Sequence, residues 1–166
     1  MTTLVRVNTQ ALSVTHVAYS IIGIIQAIIT ELGLGPKYIH ENWKALEDGL
    51  TTWLEEHSLK TATMEIFTPT DSLVARVDLQ ISYGSFLDDE RQFYSDLTAA
   101  KLAARKLGRI AQSCRYRFVV TREYWHTPVS GWSSTTLLST EGLRRRAVGD
   151  LIGSPGIRSD LAIWIR

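Results

Sequence analysis

One stretch constrains this chain more than any other. Ser13–Leu34 reads S-V-T-H-V-A-Y-S-I-I-G-I-I-Q-A-I-I-T-E-L-G-L. Its polar residues are few: Thr15, His16, Ser20, Gln26, Thr30 and Glu31. Val14, Val17, Ile21, Ile24, Ile25, Ile28 and Leu32 form one broad helical face, and Ala18, Ile22 and Ile29 widen it further. A helix that is apolar nearly all round belongs either in the centre of a folded core or in a membrane. Ser13 is suited to capping its start and Gly33 to ending it in a left-handed C′ conformation. The densest part, Val17–Ile29, is thirteen residues and still holds Ser20, Gly23 and Gln26. A membrane span needs about 20 mostly apolar residues. No Lys/Arg cluster flanks either end, and no basic leader or small-residue cleavage site precedes it. The expectation is therefore a buried central helix wrapped by other elements.

The remainder supplies those elements. Gly33-Leu34-Gly35-Pro36 is a break, with Pro36 suited to a first helical turn. Lys37–His57 carries Ile39, Trp43, Leu46, Leu50, Trp53 and Leu54 at three- and four-residue steps, which predicts a second helix with one apolar stripe. His57 falls near its C-terminal end, where positive charge is favoured. The period then becomes two. Ala62, Met64 and Ile66 alternate with Thr63, Glu65 and Phe67. After the turn cluster Thr68–Ser72, Leu73–Tyr83 alternates throughout. Together these predict a β-hairpin with one solvated face. Asp88-Asp89-Glu90 reads as the start of a third helix, about Asp89–Leu107, with Phe93, Leu97, Ala100, Ala104 and Leu107 inward and Gly108 at C′. Cys114–Arg122 returns to period two.

From Glu123 regularity fades. Residues 124–133 form an aromatic loop, Ser134–Ser139 a short strand and Glu141–Val148 a short helix or ribbon. Gly149, Gly153, Pro155 and Gly156 punctuate the rest, and Leu161–Ile165 reads as a final strand. A segment with apolar anchors, strand fragments and many hinges is either a set of edge strands or a part that rearranges.

Composition narrows the function classes. At 166 residues with 45% hydrophobic and 21% charged residues, the chain suits one folded domain with a real core. The net charge of +1 gives no bulk signal for nucleic acid, membrane or an acidic partner. The single cysteine, Cys114, rules out an internal disulfide and reads as a structural strand residue. His16, His40, His57 and His126 have no partners at ligand spacing, so no metal site is expected. Gly149–Gly156 lacks the G-K-[ST] ending of a phosphate loop, and no G-x-S-x-G elbow occurs. Asp88-Asp89 is better explained by helix capping than by acid–base catalysis. Arg115, Arg117 and Arg144-Arg145-Arg146, with Tyr116 and Trp132, leave a nucleic-acid stacking surface as an alternative.

The order of parts resembles the HORMA domain, specifically the bacterial HORMA proteins encoded with antiphage CBASS operons. The residues carrying it are Ser13-Val14-Thr15-His16-Val17, Thr52-Trp53-Leu54-Glu55, Glu65-Ile66-Phe67, Ile81-Ser82-Tyr83-Gly84, Gly131-Trp132-Ser133 and Ser139-Thr140-Glu141-Gly142-Leu143. The resemblance implies an α+β fold, three helices packed on a mostly antiparallel sheet with a C-terminal safety belt. It divides one domain, 1–166, into a mobile N-terminal arm (1–12), a core (13–122) and the belt (123–166). It implies a non-enzymatic, cofactor-free, cytoplasmic adaptor that closes over a closure-motif peptide added as a strand. Tyr116, Phe118, Val120, Trp125, Trp132 and Trp164 are the implied peptide-binding residues, with the three tryptophans as belt anchors. Ordinary core packing accounts for these tryptophans as well. The implied partners are a CD-NTase-type cyclic-oligonucleotide synthase, an AAA+ remodelling ATPase acting on the arm, and a second HORMA protein. In the last case Ile157–Arg166 is either a belt strand or a closure motif offered to that sister protein.

Overall fold

The computed structural model describes residues 9–84 and 93–166. The described helices are α1 (Thr9–Glu31), α2 (Lys37–Glu41), α3 (Trp43–Glu55) and α4 (Leu97–Lys106). The described strands are β1 (Leu59–Phe67), β2 (Leu73–Tyr83), β3 (Tyr94–Ser95), β4 (Arg115–Arg122), β5 (Arg144–Ser154) and β6 (Ile157–Ile165). They form one sheet in the order β3-β5-β6-β2-β1-β4, antiparallel at every pairing.

α1 is the central helix. Val17, Ile21, Ile24, Ile28 and Ile29 have no exposed surface, and α3, α4, β5 and β6 pack around it. By length and composition α1 is apolar enough to cross a membrane. Here its isoleucines are covered by protein instead, each contributing on the order of 1.5–3 kcal/mol by burial. Isoleucine is only a middling helix former, so this packing rather than propensity holds the helix. Its C-terminus matches expectation. Gly33 has φ +74° and its N–H donates to Thr30 O, while Leu34 N–H donates to Ile29 O, a Schellman closure. Its start does not match. The helix already runs at Thr9, and Ser13 lies inside it with its hydroxyl donating to Pro155 O at 2.8 Å. Thr9–Leu12, expected in the arm, are thus helical. Met1–Asn8, the rest of the expected arm, lie outside the described residues.

Two further helices depart from expectation. Lys37–His57 is broken at Asn42 into α2 and α3. α3 ends in a second Schellman closure with His57, not glycine, at φ +58°. His57 stacks on Tyr83 with ring centroids 4.4 Å apart, which offsets part of the left-handed strain. The helix expected from Asp89 begins at Leu97. Asp96 is the cap, its carboxylate accepting from Ala99 N–H at 2.9 Å. Phe93 therefore precedes the helix, and Tyr94-Ser95 pair with Gly153 and Ile152 as the short strand β3. Asp88-Asp89-Glu90 lie outside the described residues.

The face of the hairpin expected to be solvated is closed in part, while Gln80 and Ser82 stay exposed. Thr63 and Glu65 are buried and Asp78 nearly so. Asp78 accepts from Thr63 Oγ1, from Arg76 through two nitrogens and from Trp164 Nε1, all at 2.7–2.9 Å. The large majority of buried polar groups in folded proteins are paired in this way.

Candidate functional site

The sheet ends on β4, and among the described residues no strand pairs with its outer side. Alternate backbone N–H and C=O groups of an edge strand face outward, ready to pair with another chain. Period-two alternation turns Tyr116, Phe118 and Val120 towards the helices, where they pack against the core. Arg117 and Val119 face the opposite side, level with Glu65 and Thr63 of β1.

After β4 the chain runs back around this free edge. On the helix side it is pinned to α3. Trp53 Nε1 donates to Thr127 O at 2.7 Å, and the Glu56 carboxylate accepts from Thr127 N–H and Oγ1. Burial alone would raise the Glu56 pKa, but hydrogen bonds from Ser58 and Thr127 and the nearby His126 outweigh it and hold the pKa below its usual value. Trp132 then inserts over Trp53, with centroids 4.9 Å apart, and beside Phe118, while its Nε1 donates to Ala45 O at 2.7 Å. The insertion depends on Gly49: a β-carbon there would lie 2.4 Å from Trp132 Nε1. It depends also on Gly131, at φ +90°, whose own β-carbon would press on Ala45 at 2.9 Å.

Beyond Trp132 the chain passes to the other face of the sheet. Leu138 N–H donates to Glu65 Oε1 at 2.7 Å, and Arg117 Nε meets Glu65 Oε2 at 2.6 Å. Arg117 also donates to Thr135 Oγ1 and Thr136 O. A buried carboxylate thus ties the β4 edge and the passing chain together. Ser134–Ser139, expected as a strand, has no regular structure and makes this crossing instead. The chain then enters β5, where Glu141–Val148 had been expected to form a helix or ribbon. The β5–β6 hairpin joins the far side of the sheet through β6 and β2.

The result is an arch, residues 123–143, around an unpaired strand edge. Two clefts lie along that edge and share Tyr38. One, of about 210 Å3, is lined by Leu46, Arg117, Phe118, Val119, Gly131 and Trp132 among others. The other, of about 540 Å3, reaches Cys114, Arg115 and Tyr116. Cys114, expected inside the strand, immediately precedes it and is only partly buried.

Of the residues singled out in the sequence, Phe118 and Trp132 line the first cleft and Tyr116 the second. The Tyr116 hydroxyl donates to Gly35 O at 2.6 Å, and burial pushes its pKa up. Val120 packs inward. Trp125 is half exposed and lines neither cleft, so it is not a buried anchor; Thr127 and Trp132 pin the arch on this side. Trp164 sits on β6, three places from β4 in the sheet, bonded to Asp78 beneath Arg76. The basic residues do not converge either. Arg117 is bound to Glu65, and Arg144-Arg145-Arg146 lie on β5, four places from β4 in the sheet. Pattern reading missed Glu65, because a buried acid and a solvated acid look alike at an alternating position. It missed Gly49 despite a signal, since glycine inside an amphipathic helix costs about 1 kcal/mol without a packing reason.

The sequence model of the family described as Bacterial HORMA domain 2 matches residues 1–166. The chain belongs to this family. No curated protein sequence matches it. Solved structures carry the same HORMA fold at low identity. A chain of a mitotic checkpoint complex superposes with a TM-score of 0.70 at 9% identity, covering 90% of this chain and 96% of that one. C. elegans HTP-2 bound to a HIM-3 closure motif gives 0.69 at 10% identity, covering 90% and 88%. A chain from the E. coli MS115-1 HORMA:CdnC:Trip13 complex gives 0.61 at 9% identity, covering 98% and 95%. The HORMA fold here is therefore helices packed on a six-stranded antiparallel sheet.

Proposed function

We propose that this HORMA protein is a peptide-binding signalling adaptor of antiphage defence, acting in the cytoplasm. Its ligand adds as an extended strand to the outer edge of β4, beneath the arch of residues 123–143. Backbone hydrogen bonds supply affinity and the two clefts supply choice, as in other strand-addition complexes. The observation carrying this reading is the passage of the chain around an unpaired edge with open clefts beneath it. The fold likeness to a closure-motif complex supports it, since that match covers 90% of the chain. In the arrangement described, Ile157–Ile165 is a belt strand paired on both sides, which favours the ligand-receiving role over that of a sister protein donating its tail. The closed, peptide-bound form then engages a cyclic-oligonucleotide synthase, and an AAA+ ATPase reopens it through the N-terminal arm. The likeness to a HORMA protein solved in complex with CdnC and Trip13 supports work inside such an assembly.

Affinity purification of the tagged protein, co-expressed with its genomic neighbours, tests this. Recovery of a nucleotidyltransferase, together with an AAA+ ATPase that alters the complex in the presence of ATP, is the expected result. Recovery of neither would overturn the signalling role.

A further inference from the structure

The chemistry along β4 also constrains which peptide it takes, an inference that rests on β4 being the docking edge. A residue added opposite a β4 residue shares its face, with β-carbons about 4.5–5.5 Å apart. β4 reads R-Y-R-F-V-V-T-R and holds three guanidinium groups. Two are committed. Arg117 is bound to Glu65 and the arch, and Arg122 lies over the Trp53 ring at 4.4 Å.

Arg115 differs. It is exposed, its neighbour on β1 is Phe67, and among the described residues no carboxylate pairs with it. It is also the one charged residue among those bordering the second cleft, whose other described residues include Gln112, Cys114 and Tyr116. Phe118, three positions along and so on the opposite face, meets Trp132 in the first cleft, with Leu46 on the wall. Cys114–Val119 offers six residues of edge, on the order of 20 Å of extended chain.

We propose that β4 selects an extended peptide bearing an Asp or Glu opposite Arg115 and a large apolar side chain opposite Phe118, three positions apart. The carboxylate gains a charge-assisted bond from a guanidinium with no competing acid among the described residues, and the apolar side chain fills the space beside Trp132. A basic residue opposite Arg115 is disfavoured by like-charge repulsion.

The test is selection from a random dodecapeptide phage library on the full chain, wild type and Arg115→Glu. Thermal melting confirms that this exposed substitution leaves the protein folded. The wild type should enrich peptides with an acid three positions from a large apolar residue. Arg115→Glu should keep the apolar position and exchange the acid for Lys or Arg. For one selected peptide, replacing the acid by its amide should weaken wild-type binding by about 5-fold, the upper range for an exposed pair, and should not weaken binding to Arg115→Glu. Selected peptides with the apolar residue but no acid, or the same consensus from both proteins, would overturn the proposal while leaving strand addition standing. Enrichment of no peptide by either protein would overturn the docking reading itself, and this inference with it.

Discussion

The two ends of the sheet are finished in opposite ways. On β5 the exposed edge begins with Arg144-Arg145-Arg146, and register shifts interrupt it between Ala147 and Gly149 and between Asp150 and Ile152. The two-residue strand β3 occupies part of the remainder, with the Tyr94 ring lying over Gly153. Charges, bulges and a short strap are the devices by which proteins keep an edge from pairing. On β4 the ladder to β1 is regular from Thr61–Thr121 to Phe67–Arg115, and its outer side faces clefts instead of another strand. That edge is kept capable of pairing but enclosed by an arch, held by point contacts to Glu56, Ala45 and Glu65. One edge is closed to any strand; the other is open to a strand that the arch admits.

The largest expected effect comes from cutting the arch at its buried contact. Glu65→Ala removes the acceptor for Leu138 N–H and strands Arg117, a loss of about 2 kcal/mol in urea unfolding. Amide exchange should accelerate across residues 131–138 and leave β5 unchanged. Equal acceleration at both edges would erase the distinction between them.

Gly49→Ala comes next. Alanine favours the helix by about 1 kcal/mol, but its methyl group would meet Trp132 and Trp53 within 3 Å. Overpacking costs about 1–3 kcal/mol. The expected net result is a small loss of stability with faster proteolysis between residues 128 and 136. A simple gain in stability would show that Trp132 is not held where it lies.

Replacing Arg144, Arg145 and Arg146 by threonine sharpens the comparison from the other side. Stability should change by under about 0.5 kcal/mol, while sedimentation should reveal more self-association than in the parent. A sedimentation profile unchanged from the parent's at high concentration would show that the arginines do not guard β5.

The smallest effect is pH-dependent. The Glu56 carboxyl has a lowered pKa in the folded protein. The stability it contributes is present above its unfolded value, about pH 4.3, and is lost as pH falls through the lower folded value. Exchange at Thr127 should rise in that window, and Glu56→Gln should remove the dependence.

Much of this fold is legible in the sequence wherever burial is one-sided. The continuous apolar run of α1, the stripe of α3 and the alternation of β2 each declare their environment. β5 does not, because most of Arg144–Asp150 is exposed and so carries no period-two signal. The start of α4 was obscured because Asp88-Asp89-Glu90 offers capping acids earlier than Asp96 does. The site was legible in its aromatic half, Phe118 and Trp132. It was hidden in its polar half, because the meaning of Glu65 and Gly49 lies in what crosses over them from a chain segment far away in sequence.

Hydrogen exchange across β4, in the free protein and with a saturating selected peptide, tests the central claim most directly. Protection of alternate amides within Arg115–Val120, with slower exchange in residues 131–138 and no change on β5, is the predicted result. Protection on β5, or a bound peptide that leaves the β4 amides untouched, would contradict it.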